Sequence, residues 1–189
     1  MTESLQQILH FFKTGQGQRP SAETVVTELL TLEKNARYQP AIGQFSDLVG
    51  QWQLAFITGT KKPKNRGGIM LGKGRYIPPW LGISIAYEQL DAQSDKIINQ
   101  VKFGVWHLTV TGPANFIGKK NLLAFDFTRL ELKIFGLTLY NGYIRNGEIR
   151  EAQFAQTSIA KQAFFSFFLL SENVIAARGR EGGLAIWVK

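Results

Sequence analysis

From Leu48 onward the chain reads as one short strand after another, and the first of them opens on Gly50-x-Trp52. Gly50 lets the backbone turn in without a Cβ penalty, and the large Trp52 ring is suited to plug one end of a sheet closed on itself. Alternating or apolar runs follow at residues 51–58, 82–91, 96–103, 106–111, 122–128 and 129–134, and again at 163–170, 174–178 and 184–188. Ala92-Gln93-Ser94-Asp95, Ser171-Glu172-Asn173 and Gly179-Arg180-Glu181-Gly182-Gly183 separate some of them, and Gly104 marks a bulge or tight turn. Many short strands joined by turn residues point to antiparallel sheet rather than βαβ units. Closed into a small barrel, such a sheet has room for its own side chains or for one apolar ligand.

The first 47 residues differ in kind. Leu5, Ile8, Leu9 and Phe12 fall on one stripe of a helix over residues 4–13. Gly15-Gln16-Gly17-Gln18-Arg19-Pro20 breaks it, Ser21 caps a second helix to about residue 35, and Pro40 and Gly43 end the region. The chain therefore divides into a helical segment, residues 1–47, and a strand-rich unit, residues 48–189. Charge follows the same division: the first part carries four Lys and Arg against five Asp and Glu, the second eighteen against nine. A basic strand-rich unit suits a polyanionic partner, such as an anionic membrane surface. The absence of Cys excludes disulfides and thiolate chemistry. Met1-Thr2-Glu3-Ser4 reads as neither a signal nor a transit peptide, and the apolar run at residues 163–170 is too short for a spanning helix, so any membrane contact is expected to be peripheral.

Three blocks resemble a known family. They are Val26-Thr27-Glu28-Leu29-Leu30-Thr31-Leu32-Glu33-Lys34-Asn35; Leu48-x-Gly50-x-Trp52-x-Leu54 running on to Thr58; and Leu169-Leu170-Ser171-Glu172-Asn173-Val174-Ile175-Ala176-Ala177-Arg178-Gly179 with Gly182-Gly183-Leu184-Ala185-Ile186-Trp187-Val188. In order and spacing these resemble the plastid lipid-associated proteins, or fibrillins (plastoglobulins), with Tyr87-x-Gln89-x-Asp91 and Asn99-x-Val101 as a lesser match. Ser171 stands where that family usually carries an acid and Ile175 where it carries a first Arg, which leaves the subfamily open. The resemblance implies a lipocalin-like barrel that binds or organises lipids and isoprenoids at thylakoids or lipid droplets, on the cytoplasmic or stromal side, with no agreed catalytic site.

The residues expected to matter fall into three sets. Tyr87, Phe103, Trp106, Phe125, Phe127, Phe165 and Phe167 alternate along strands and are the candidate ligand pocket. The segment from Lys61 to Trp80 is rich in glycine and in Lys61, Lys62, Lys64, Arg66, Lys73 and Arg75; with Trp80 it is expected to be a mobile lid on an anionic membrane. Gly50, Trp52 and Arg178 are expected to be structural, with Arg178 stacked over Trp52. His10 and His107 have no nucleophile or metal-ligand frame around them, so no enzyme activity, cofactor or metal is expected. Nucleic acid is a minor alternative partner, because no RNA- or DNA-binding motif accompanies the charge. The expected fold is α+β, a lipocalin-like antiparallel barrel with N-terminal helices. The expected function is non-catalytic binding of a carotenoid, quinone or other isoprenoid, or a fatty acyl chain. The rivals are a pigment- or lipid-modifying lipocalin-like enzyme and a coat protein with a filled barrel.

Overall fold

Alternation does organise the strand-rich unit, and two strands that change partners along their length decide its shape. The computed structural model describes residues 3–38, 43–61, 70–91 and 94–189. Its helices are α1 (Glu3–Thr14), α2 (Ala22–Tyr38) and α3 (Gly147–Ala152). Its strands are β1 (Gly50–Lys61), β2 (Met70–Tyr76), β3 (Ile83–Asp91), β4 (Ser94–Phe103), β5 (Trp106–Ile117), β6 (Leu122–Phe125), β7 (Arg129–Ile134), β8 (Leu137–Tyr143), β9 (Ala163–Leu170), β10 (Val174–Gly179) and β11 (Leu184–Val188). All pairings are antiparallel. The ring β4-β3-β1-β11-β10-β9-β6-β5 closes through β4–β5, giving an eight-stranded barrel of the expected lipocalin-like α+β class.

The ring forks at β1 and at β5. The start of β1 pairs with β3, from Gly50↔Tyr87 to Gln53↔Ser84, and its end pairs with β2, from Phe56↔Tyr76 to Lys61↔Met70. The end of β5 pairs with β6, while its start, from Trp106↔Ile134 to Thr111↔Arg129, pairs with β7. The switch on β5 falls at Gly112-Pro113. Residues 126–128 pass so close to Gly112 that a Cβ there would lie 1.9 Å from the Asp126 carbonyl oxygen. Pro113 lacks an N–H, and its carbonyl accepts from the Asp126 amide at 3.2 Å. The expected strand over residues 122–128 is therefore interrupted after Phe125, where residues 126–128 bulge along the edge of β5 before β7 begins.

Bulges decide which side chains face inward. On β1 the register shifts between Leu54 and Phe56. Trp52 and Leu54 thus point into the barrel, while Phe56 turns out against α1 and α2. The α1 stripe of Ile8 and Phe12 and the α2 stripe of Val25 and Leu29 pack there on Val174, Ala176, Leu184 and Ile186. Ser21 caps α2 as expected, its Oγ accepting from the Thr24 amide at 3.0 Å. Both helices cover the outside of the barrel. Its end is closed by the segment before β1, where Phe45 and Leu48 are buried against Trp52 and Tyr87.

Two further differences from the sequence reading lie at the forks. Residues 70–76, expected in a loop, form β2. Gly74 is what allows it, since a Cβ there would sit 2.1 Å from Phe56 Cζ. Residues 137–143 form β8, turned back from β7 by Phe135 and Gly136, which both have positive φ, 49° and 78°.

Candidate functional site

Trp52 is fully buried at the closed end, and its indole N–H donates to the Leu48 carbonyl at 2.7 Å. Gly50 takes φ 120°, a conformation that favours glycine. The cation over the Trp52 ring is Lys189, with Nζ 4.4 Å from the centroid, not the expected Arg178. Strand parity explains the correction. Ile175 and Ala177 point inward, so Arg178 points to the helix side. There its Nε and Nη2 donate to the Glu33 carboxylate at 2.7 and 2.6 Å, and Nη1 donates to the Gly182 carbonyl. The hydrogen bond from Arg178 holds the Glu33 carboxyl below its ordinary range, against the opposing effect of burial.

Five of the seven expected pocket residues converge inside the ring. Phe125 lies 4.8 Å from Phe165 and 5.3 Å from Phe127 between ring centroids, and Phe165 lies 5.3 Å from Trp187. Phe167 meets Tyr87 edge-on at 6.4 Å. With Trp52, Phe45 and Phe116 these rings make up the core of the closed part. The Tyr87 hydroxyl ends there without a hydrogen-bond partner, and burial pushes its pKa up.

Phe103 and Trp106 stand elsewhere. They oppose each other at the far end of the β4–β5 pair, 53% and 49% exposed. They nevertheless share a face with the barrel interior. Along β4 the register is unbroken against β5, so Ile97, Asn99, Val101 and Phe103 point one way, and the inward side of Ile97 sets that way as the inner face. Leu108 opposes Val101, and β7 adds Leu130, Leu132 and Ile134 opposite Val110, Leu108 and Trp106. On β8, Tyr140 opposes Leu132 and Leu137 opposes Ile134. The inner face thus runs on past the fork at Gly112 as a largely apolar wall, and among the described residues no strand lies opposite to close it. Its reverse side is polar: Lys102, His107 and Lys133 lie side by side across β4, β5 and β7. Burial and the flanking Lys102 and Lys133 push the His107 pKa down.

The wall ends in two joined turns. The Phe135 amide donates to the Val105 carbonyl at 3.1 Å, which ties the β7–β8 turn to the β4–β5 turn. Val105, Phe135 and Leu137 are exposed here beside Phe103 and Trp106, Phe135 at 78%. Trp80, exposed in the short turn before β3, packs on Phe103 at 5.9 Å. A cluster of exposed aromatic and aliphatic side chains at one end of a molecule is the usual mark of a contact surface. A bulky residue held at positive φ is a second mark, since turns of this type favour Asn, Asp or Gly.

Of the basic segment, Lys62, Lys64 and Arg66 lie outside the described residues, and Lys61 enters only as the last residue of β1. Lys73 and Arg75 are exposed on β2, on the strand face opposite to Tyr76. The structure therefore gathers Trp80, Phe103 and Trp106 at the wall, and Tyr87, Phe125, Phe127, Phe165 and Phe167 in the core. A bay of about 510 Å³ lies between β4, β5 and the α3 region, lined by Asp95, Lys96, Arg129 and Glu151 among others. Its charged groups are partly spent on one another, Arg129 on Glu151 at 3.4 Å, and Glu151 accepts from Thr128 at 2.5 Å. Among the described residues no group of three His, Cys, Asp or Glu side chains could hold a metal ion, and no helix is long and apolar enough to cross a membrane. No family model matches the chain, and neither does any curated protein or solved structure.

Proposed function

We propose that this chain is a non-catalytic binder and organiser of apolar lipid, working peripherally at a membrane or droplet surface with the wall and its aromatic turns laid into that surface. The observation that carries the reading is the continuation of the barrel's inner face beyond closure as an uncovered apolar wall ending on Phe103, Trp106 and Phe135. The aromatic rings packed inside the closed part favour the wall as the place for the lipid. Trp and Phe side chains suit the interface between water and acyl chains. The basic excess of residues 48–189 favours an anionic surface. The resemblance to plastid lipid-associated proteins narrows the setting to thylakoid membranes or lipid droplets, and the lipid to a carotenoid, a quinone or another isoprenoid, or an acyl chain.

Flotation tests it. The protein is mixed with vesicles of neutral phosphatidylcholine, with vesicles containing an anionic lipid, and with triacylglycerol droplets. It is expected to float with the anionic vesicles and the droplets. The double variant Phe103→Ser, Trp106→Ser is expected to stay behind while melting as the parent does, since both side chains are about half exposed. A parent that never floats, or a variant that floats equally well, would refute the reading.

A further inference from the structure

A second apolar hollow, of about 380 Å³, lies on the outer side of β1, where the end of α1 and the loop after it face the segment from Tyr76 to Pro79. It does not share the wall's surface, and its argument stands apart from the reading above. The bulge at Ala55 opens the backbone there, and Phe11, Phe12, Tyr76 and Val188 supply apolar walls. Phe12 and Tyr76 stack at 5.6 Å, and the Tyr76 hydroxyl donates to the Pro20 carbonyl at 2.8 Å, which fixes the loop over the hollow.

Two polar side chains border this hollow. Arg19 lines it, its guanidinium 3.9 Å above the Tyr76 ring, and no carboxylate among the described residues pairs with it. Gln53 lines it too, and its side-chain nitrogen is buried without a hydrogen-bond partner. A permanent cation beside an apolar slot complements an anionic head on an apolar tail, and a turn of the Gln53 side chain would add its unpaired amide donor. The volume lies near the low end of ligand pockets, which suits one chain rather than two.

We infer that this hollow binds a single-chain amphiphile with a carboxylate head, the tail between Phe11, Phe12 and Val188 and the head at Arg19 and Gln53. The test displaces a fluorescent probe, 11-(dansylamino)undecanoic acid, from the full chain with dodecanoate, dodecanol and dodecyltrimethylammonium, all kept below micelle formation. Dodecanoate is expected to compete saturably at one site, at least tenfold better than dodecanol, with the ammonium inactive. Arg19→Glu, at an exposed position, is expected to weaken dodecanoate by tenfold or more and leave dodecanol unchanged. Arg19→Lys is expected to keep part of the preference, and Ala55→Phe to remove both ligands by filling the slot. The wall variant Phe103→Ser, Trp106→Ser is expected to bind dodecanoate as the parent does, so that failure of the wall and failure of the hollow are told apart. Absence of saturable binding, equal binding of dodecanol, an unchanged Arg19→Glu, or loss in the wall variant alone would each overturn the inference.

Discussion

Replacing Phe135 by Asn separates folding from surface binding. Phe135 sits at φ 49° at the first position of a two-residue turn, with 78% of its surface exposed. A left-handed conformation costs an L-residue with a bulky side chain roughly 1–2 kcal/mol, and Asn adopts it more readily. The exposed ring contributes little burial in return. Phe135→Asn is therefore expected to raise stability by about 0.5–1 kcal/mol, read from the midpoint of urea unfolding at unchanged slope. Transfer of a whole Phe side chain from water to an apolar phase yields roughly 1.5–3 kcal/mol. Most of that is available to an exposed ring at the tip of the wall, so the same substitution is expected to weaken partition onto anionic vesicles by about tenfold, measured by flotation across a lipid titration. A variant that is more stable and floats less would show that the turn holds its aromatic ring at the expense of the fold. A variant that is less stable, or that floats as the parent does, would refute the reasoning.

Other substitutions probe the frame. Trp52→Ala should destabilise by roughly 3–5 kcal/mol, because a fully buried ring leaves a cavity and the Leu48 carbonyl loses its donor; retention of the parent melting temperature would contradict that role. Gly112→Ala should cost roughly 1–3 kcal/mol and loosen the β5 fork, since its Cβ cannot coexist with the Asp126 carbonyl; amide exchange faster at residues 126–128 than in the parent is the expected sign. The Glu33–Arg178 pair should make the docking of α2 acid-labile. Glu33 is held below its ordinary 4.5, so the unfolded chain takes up that proton first. The pair's contribution is complete above 4.5 and is lost as pH falls through the folded-state value. Glu33→Gln should flatten this part of the pH–stability profile, and an unchanged slope below 4.5 would refute it.

Local periodicity carried most of the architecture. The stripes of Ile8 with Phe12 and of Val25 with Leu29 name the helix faces that pack, and alternation after Gly50 names most strands. What escaped depends on partners distant in sequence. β2 reads as a loop because Gly72, Gly74 and two basic residues interrupt it, and only the Phe56 ring makes Gly74 a strand residue. β8 reads as nothing in particular because its turn lacks an Asn-Gly or Asp-Gly pair. Phe103 and Trp106 were legible as inner-face residues, yet no spacing along β4 tells where closure stops. That limit falls at the bulge of residues 126–128 beside Gly112, where β6, paired with β9, gives way to β7, paired with β8. Arg178 could have been placed by parity from the apolar Ile175 and Ala177, but its acid lies on a helix 145 residues earlier.

The order of the strands along the chain has a consequence for synthesis. β3, β4, β5, β7 and β8 pair largely with near neighbours in sequence, so the wall can assemble from local contacts. The ring closes only when β11 meets β1, with Val188 opposite Gln53. Local pairings form faster than distant ones. The wall's pairings therefore need none of the last three strands and can form before those strands are synthesised. Both the unclosed interior and the wall then present apolar faces at once. Until β11 pairs with β1, the chain exposes more apolar surface than it does once folded.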